Sequence, residues 1–299
     1  MEEPLLLHSL TAFRELIEGC LEATGAATVC EIGSETGGHT HDLVAWAERH
    51  DAHVWCVEPH PVVGLRELAA QSTALTLVRG RSPGALADVP ACDAWIVDGD
   101  HNYATVASEL RTIVAKARAA DRPALAILHD VGWPAGRRDS YYAPQAIDDP
   151  HPHTWARGVV PGEPGVVDGG FRGGGEFAWA EREGGTANGV RAAVEAVAAE
   201  EGLELLVVPS VFGLGFLFAP DAPWAGIVQA LVAPLAGAPL LERLERNRVA
   251  LYLRVLALQD EAAVQGTRVA RVAAGYEQRI GALEAELSRL RHERIRARD

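Results

Sequence analysis

The sequence predicts an α/β protein built on a doubly wound, mostly parallel, seven-stranded sheet with an antiparallel last strand. Short apolar runs rich in β-branched residues alternate with amphipathic helical patterns, and the last two runs are joined by only four residues, "VFGL". The seven predicted strands occupy residues 27–33, 53–59, 75–80, 94–99, 124–130, 203–210 and 215–220.

Helical patterns separate the first five strands, namely "THDLVAWAERH", "VVGLRELAAQ" and "NYATVASELRTIVAKARAA". Strands that are apolar on both faces and separated by helices are typical of a parallel sheet covered on both sides. The "VFGL" segment is too short for a crossover helix, so we expect the last two strands to pair antiparallel.

Length and composition predict one large domain followed by an appendage. We place the domain at residues 1–222 and a helical extension at 223–299. Net charge is −14, divided as −17 for residues 1–239 and +3 for residues 240–299, which disfavours nucleic acid as a partner. No apolar run reaches the ~18 residues of a membrane span, and the start "MEEPLLLHSL" lacks the basic residues of a signal peptide. The four cysteines lie far apart and suggest buried thiols. We therefore expect a cytoplasmic protein.

Polar residues stand at the carboxyl ends of four predicted parallel strands. They are Glu31, Glu58, Asp98 and Asp130, and the stretch "AWIVDGDHNY" shows the change from buried strand to carboxylates most sharply. Ligands of doubly wound sheets bind at this edge. The sequence therefore predicts a ligand-binding rim there.

The first strand leads into the glycine-containing loop "EIGSETGGHT". Its GxxxGG spacing differs from the GxGxxG of nicotinamide and flavin proteins. With the acidic Glu58 after the second strand, which suits a ribose, this loop resembles motif I of class I S-adenosylmethionine-dependent methyltransferases. The resemblance covers about residues 25–220 and implies a Rossmann-like methyltransferase fold.

That resemblance assigns roles to matching positions. It implies that the amino-acid part of the cofactor faces Glu31, Gly33 and the Ser34–Gly38 loop, including Gly37 and Gly38. It implies that Glu58 holds the ribose, that Ser82 in "GRSPGAL" lies near the adenine, and that Asp98 also borders the cofactor.

"VDGDHNY" followed by a helix, and "LHD" on the next strand, resemble a narrower group. These are metal-dependent O-methyltransferases that tailor sugars on natural products and are related to cephalosporin-hydroxylase-like methyltransferases. The resemblance implies a metal held by Asp98, His129 and Asp130, with His101 as catalytic base beside Asp98. Position 129 is His where the group has an acid, which leaves open Mg²⁺, a softer ion such as Mn²⁺, or no metal.

The chemistry suits these residue types. A metal bound at a sugar hydroxyl lowers the pKa of that hydroxyl and fixes its direction, and a neutral imidazole can accept the proton. Asp100 is interpreted differently, as the N-cap of the following helix.

Residues 131–187 form an insertion rich in Gly, Pro and aromatic residues, which leaves the sheet at the predicted rim. Loops of this length are usually functional. We predict a lid or acceptor pocket, with substrate contacts from Trp133, Arg137, Arg138, Tyr141 and Tyr142. A partly disordered loop with locally packed aromatics is compatible with this interpretation.

The extension carries a coiled-coil pattern over residues 269–290, with apolar residues at alternating spacings of four and three. We expect a homodimer through these helices. A single helix folded against its own domain is the competing interpretation.

Taken together, the sequence predicts a methyltransferase that transfers a methyl group from S-adenosylmethionine to a hydroxyl of a small polar or glycosylated metabolite, in natural-product or saccharide biosynthesis. Two alternatives stay open: a nicotinamide-dependent oxidoreductase on a similar sheet, and a non-catalytic coiled-coil partner protein.

Overall fold

The computed structural model describes residues 6–297 and divides into two compact units, one ending at Tyr252 and the other starting at Leu253. The first unit thus extends beyond the domain end predicted at residue 222. The outermost residues of the two predicted domains, 1–5 and 298–299, lie outside the described residues.

A seven-stranded sheet forms the centre of the first unit. Its parallel strands β1 to β5 are followed, after the insertion, by β9 and β10, in the spatial order β3-β2-β1-β4-β5-β10-β9. Strand β10 is antiparallel to both of its neighbours, as the short "VFGL" connection predicts. The seven strands are β1 (Thr28–Ile32), β2 (His53–Val57), β3 (Leu75–Val78), β4 (Ala94–Val97), β5 (Leu125–Leu128), β9 (Glu204–Val208) and β10 (Leu214–Phe218). The predicted α/β fold is confirmed.

Helices cover the sheet because its central strands are apolar on both faces: β4 and β5 are buried at every residue. The helices of the unit are α1 (Arg14–Thr24), α2 (Gly38–His50), α3 (Val63–Gln71), α4 (Tyr103–Ala119), α5 (Val190–Glu201) and α6 (Ala225–Val232), followed by the start of α7 (Pro239–Arg296). Two apolar cores result, and all four cysteines are buried in them as free thiols.

Sequence order reverses at β1, which lies between β2 and β4 in the sheet. The chain therefore leaves β1 and β4 in opposite directions and opens a crevice at their carboxyl ends, where ligands of such sheets bind. This places the predicted polar rim around one crevice.

The insertion at 131–187 carries regular structure that the sequence analysis did not predict. Three short strands, β6 (Ser140–Tyr141), β7 (His153–Thr154) and β8 (Ala178–Ala180), form an antiparallel sheet in the order β6-β8-β7. Trp179 in the middle strand is buried and contacts Phe171 and Phe177, so the aromatic residues of the insertion pack mainly on one another.

The second unit consists of the remainder of α7 over its described residues. Its side chains from Glu261 to Arg294 are exposed. Over the residues that the structure describes, every helix is too short or too polar to span a membrane.

Candidate active site

A cavity of about 690 Å³ lies at the carboxyl edge of the sheet. Its walls come from the ends of three parallel strands, the loop after β3, the first turns of α4 and the insertion. Representative lining residues are Gly33, Glu58, Asp98, Ser82, Thr105 and Tyr142. One cavity therefore joins the predicted cofactor residues Gly33, Glu58 and Ser82 to Asp98 of the predicted catalytic rim, whereas His101, His129 and Asp130 do not line it.

Gly33 allows β1 and β4 to approach each other at the floor of this cavity. Its φ is +84°, and a Cβ there would lie 2.3 Å from the carbonyl oxygen of Asp98. Only glycine combines this conformation with this closeness. Gly37 and Gly38 lie further along, at the N-terminus of α2, and do not line the cavity.

Glu58 fixes the same loop from the second strand. Its Oε2 accepts hydrogen bonds from the backbone amide and hydroxyl of Ser34 at 3.1 and 3.3 Å, and its Oε1 accepts from the amide of His60 at 2.8 Å. A carboxylate offers about four lone-pair positions, so Glu58 retains acceptor capacity towards the cavity that it lines. The remaining acceptor positions of the carboxylate are suited to hydrogen bonds from ribose hydroxyls.

Glu31 requires a correction. It is 1% exposed, its oxygens accept from Thr40 Oγ1 at 2.5 Å and lie 2.7 Å from His39 Nδ1, and it does not line the cavity. Its carboxylate thus ties the end of β1 to the first turn of α2 and does not face a ligand as predicted.

Ser82 lines the cavity in the loop after β3, as expected for a residue near an adenine. Its hydroxyl is bonded to Glu109, a fully buried carboxyl on α4. Burial raises the pKa of Glu109 to about 8, an effect that the bond to Ser82 opposes only in part. Glu109 is thus protonated at neutral pH, and its Oε2 has no hydrogen-bond partner among the described residues.

Asp98, His129 and Asp130 form one cluster at the ends of β4 and β5. One potential ligand atom from each lies within 4.8 Å of the others. Nδ1 of His129 is 3.2 Å from Asp98 Oδ1 and 3.1 Å from Asp130 Oδ2. The three residues predicted to ligate a metal are thus neighbours.

The second ring nitrogen of His129 fixes its tautomer. Nε2 is 2.9 Å from the carbonyl oxygen of Val211, which can only accept, so Nε2 carries a proton and Nδ1 faces the two carboxylates. Metal-ligating histidines commonly donate their other N–H in this way. The donor set of two carboxylates and one imidazole therefore fits a divalent cation.

Burial and neighbouring charges together shift the pKa values of His129 and Asp130. Burial lowers the pKa of His129, but Asp98 and Asp130 outweigh burial and hold that pKa well above its usual value. Burial likewise raises the pKa of Asp130, while His101 and His129 lower it to below its usual range. Asp130 also has a positive φ of 58°, a left-handed conformation that aspartate adopts more readily than most non-glycine residues.

His101 lies beside the cluster. Its Nδ1 is 3.6 Å from Asp130 Oδ2, and its ring centroid is 5.9 Å from that of Tyr142, which lines the cavity. The backbone is held from the insertion, because Ser140 donates its amide proton to the carbonyl oxygen of His101 at 3.0 Å.

The helix after β4 begins differently from the prediction. Asn102 is the N-cap of α4, and its side chain accepts from the amide of Thr105 at 2.9 Å. Asp100 instead lines the cavity, where burial raises the pKa of its carboxyl. The N-cap assignment of Asp100 is therefore wrong.

The predicted acceptor contacts divide into two groups. Tyr142 lines the cavity, whereas Arg138 is 1% exposed and donates to carbonyl oxygens of Ala180 and residues 163–165, so it stabilises the insertion and cannot reach an acceptor. The other three do not line the cavity. Arg137 forms an ion pair with Glu195 at 2.6 Å, and Trp133 is in ring contact with Phe171. Tyr141 is buried and donates a hydrogen bond to Asp139 at 2.8 Å.

Several site residues were missed. Glu109, Asp148 and the carbonyl of Val211 border the site, yet none carries a sequence signal: Glu109 looks like a surface residue of a helix, and Asp148 lies in an irregular segment. His60 was detectable, since it follows the ribose-type acid Glu58 by two residues and also lines the cavity.

Comparison with known proteins identifies the class. Residues 30–131 match a family model described as a methyltransferase domain, and this segment contains the end of β1, all of β2 to β5 and the rim residues from Glu31 to Asp130. No curated protein matched the chain. With the strand order of the sheet, the match shows that the chain carries a methyltransferase domain and so belongs to an enzyme class.

Three solved structures are among those similar to this chain. The Podospora anserina methyltransferase PaMTH1 with bound SAH is 13% identical at a TM-score of 0.43, covering 68% of this chain and 76% of that one. The Streptomyces achromogenes O-methyltransferase TomG with bound SAM is 14% identical at 0.40, covering 71% and 80%. Cofactor-bound Rv0187 from MTB is 17% identical at 0.42, covering 73% and 84%. Because these identities and TM-scores are low, the similarities carry no argument about the function of this chain.

Proposed function

We propose that this methyltransferase transfers the methyl group of S-adenosylmethionine to a hydroxyl oxygen of a small polar or glycosylated metabolite, in natural-product or saccharide biosynthesis. The observation that supports it is the cluster of Asp98, His129 and Asp130, with His101 beside it, at the cavity that Glu58 also lines. This combination suits an O-methyltransferase, because a hydroxyl must be oriented and must lose its proton next to the methyl donor.

The proposed cofactor site lies at the carboxyl ends of the parallel strands. Glu58 accepts hydrogen bonds from the ribose, Gly33 lines the cavity where β1 closely approaches β4, and Ser82 borders the adenine. Ser34 contributes through its two bonds to Glu58, which fix the orientation of that carboxylate. Gly37 and Gly38 shape the loop.

The metal site consists of Asp98, His129 and Asp130. A bound Mg²⁺ or Mn²⁺ would supply a Lewis acid that lowers the pKa of the acceptor hydroxyl. The imidazole nitrogen favours Mn²⁺ over Mg²⁺, because Mg²⁺ prefers an all-oxygen ligand set.

His101 accepts the proton. Asp130, 3.6 Å from its Nδ1, holds the ring and stabilises the imidazolium that proton transfer produces. Asp98 orients the acceptor at the end of β4, where it lines the cavity. Tyr142, whose ring is near that of His101, and the neighbouring residues 146–148 of the insertion cover the site and exclude water.

The function is tested by incubating the full chain with S-adenosylmethionine and fractions of polar metabolites, with and without a chelator, and identifying +CH₂ products by mass spectrometry. We expect a methyl ether whose formation stops on chelation and resumes with Mn²⁺. His101→Gln should lower kcat by about 10²- to 10⁴-fold, the usual range for loss of a general base. An N-methylated product, or turnover unaffected by both treatments, would refute the proposal, and unchanged SAH affinity of the variant serves as the control.

A further inference from the structure

An exposed apolar stripe runs along α7 in the second unit. Val269, Tyr276, Ile280, Leu283, Leu287 and Leu290 are between 49% and 68% exposed. With Ala273 they continue the alternating four- and three-residue spacing of a coiled-coil seam, in which Ala273, Ile280 and Leu287 take the a positions and the others the d positions. Large apolar side chains in such a row mark an interaction surface.

The charges beside this stripe indicate which partner it fits. Positions g and e flank the seam. Arg279 and Glu286 occupy g, and Glu284 and Arg291 occupy e. All four are exposed, and within the described part of the chain none of them has an ion-pair partner.

In a parallel coiled coil, each g residue faces the following e residue of the other helix. Two copies of this helix aligned in register would therefore pair Arg279 with Glu284 and Glu286 with Arg291. Twofold symmetry doubles both pairs, so four g–e contacts join opposite charges. The remaining g–e pair sets Val272 against Glu277 and adds neither attraction nor repulsion between charges.

The antiparallel alignment is less favourable. Keeping the same apolar residues in contact requires Ile280 to face Leu283, and g then faces g while e faces e. This arrangement pairs Arg279 with Glu286 but sets Glu277 against Glu284, so attraction and repulsion cancel. Charge complementarity thus distinguishes the two orientations.

The central heptad of the seam agrees with two strands. Ile280 at a followed by Leu283 at d is a combination that favours parallel dimers. Gly275 and Gly281 fall at outward-facing c and b positions, where space for a Cβ is open. They lower helix propensity without disturbing the apolar contact.

We propose that residues 269–290 of two copies of this chain form a parallel, in-register coiled coil, held by the seam from Val269 to Leu290 and oriented by the pairs Arg279–Glu284 and Glu286–Arg291. The second copy is the partner because its charges complement those of the first at both g–e contacts that join two charged residues.

Cysteine cross-linking of the full chain tests the orientation, since the native cysteines are buried. In a parallel dimer the two residues at position 283 meet, so Leu283→Cys should give a covalent dimer under mild oxidation. Ala282→Cys, on the outer face, is the matched control and should not cross-link. Preferential cross-linking between an Ile280→Cys chain and a Leu283→Cys chain would overturn the proposal in favour of an antiparallel pair.

Sedimentation equilibrium tests the charge pairing. Glu284→Arg places like charges at two symmetric contacts and should raise the dimer dissociation constant about tenfold. Adding Arg279→Glu in the same chain restores opposite charges and should recover most of the affinity. A chain that is monomeric at all accessible concentrations, or a double variant weaker than Glu284→Arg, would contradict the proposal.

Discussion

The Nε2 of His129 lies 2.9 Å from the carbonyl oxygen of Val211, in the turn between β9 and β10. This turn is strained, because Val211 and Phe212 have φ values of 47° and 64°. Glu245 on α7 holds it by accepting hydrogen bonds from both backbone amides, at 3.0 and 2.9 Å. The orientation of the imidazole therefore depends on a carboxylate that lies outside the cluster.

Glu245→Ala should weaken both the fold and the metal site. Two partly buried amides lose their acceptor, which should reduce the free energy of unfolding by about 3 kcal/mol. The released turn no longer holds Val211 against His129, so Mn²⁺ affinity should fall about tenfold, as for other residues that orient metal ligands. Urea denaturation and calorimetric titration measure the two effects.

Glu242→Ala is the matched control, one turn earlier on α7 and exposed. It should change neither quantity appreciably. SAH affinity should be preserved in Glu245→Ala, because the proposed ribose ligand Glu58 follows β2, whereas Glu245 holds the turn between β9 and β10. Equal losses of SAH and Mn²⁺ affinity would indicate general unfolding and refute the positioning role.

The identity of residue 129 should determine metal preference. The wild-type imidazole favours Mn²⁺, whereas His129→Asp creates an all-carboxylate set, so the ratio of Mn²⁺ to Mg²⁺ affinity should fall roughly tenfold in the variant. Calorimetric titration with each ion gives the ratio. His41→Asp, which adds the same charge at an exposed position of α2, should leave the ratio unchanged. An unaltered ratio in His129→Asp would exclude residue 129 as a ligand.

The sequence was informative wherever a local pattern determines a tertiary position. All seven strands of the main sheet were predicted, because short apolar runs bounded by helical or turn segments leave few alternatives. Asp98 and the His129–Asp130 pair were expected to meet, because β4 and β5 are parallel neighbours and their carboxyl ends share one edge.

Other assignments depended on contacts that no local pattern reveals. Arg138 looks like a surface cation, but carbonyl oxygens from distant parts of the insertion surround it. Asp100 and Asn102 are both suitable N-caps, and only the backbone path determines that Asn102 reaches the amide of Thr105. Glu31 ends a strand as Glu58 does, yet its side chain faces α2 and not the cavity.

Glu58→Gln should reduce SAH affinity while retaining the fold. The amide oxygen can replace one carboxylate oxygen as acceptor, but the charge that strengthens hydrogen bonds from a ribose is lost. We expect an increase in Kd of roughly 10- to 100-fold by calorimetry. Glu67→Gln, on the exposed side of α3, is the control and should bind as the wild type does. Wild-type affinity in Glu58→Gln would place the ribose elsewhere.

The buried carboxyl of Glu109 should make stability depend on pH. Its pKa is about 8 in the folded chain and 4.5 when unperturbed. Between these values the unfolded chain has lost the proton that the folded chain keeps, so folding takes up a proton. The free energy of unfolding should therefore fall as pH rises through this window, by up to about 1.4 kcal/mol per pH unit. Below pH 4.5 both states keep the proton, so Glu109 should cause no pH dependence there.

Glu109→Gln isolates this effect, because glutamine stays neutral and can still bond to Ser82. The difference in unfolding free energy between variant and wild type should shift in favour of the variant from pH 5 to pH 8, measured by urea denaturation at each pH. Glu48→Gln is the matched control, since Glu48 accepts from the hydroxyl of Ser72 at 2.7 Å on the exposed surface. Parallel pH profiles of Glu109→Gln and the wild type would mean that Glu109 ionises normally in the folded protein.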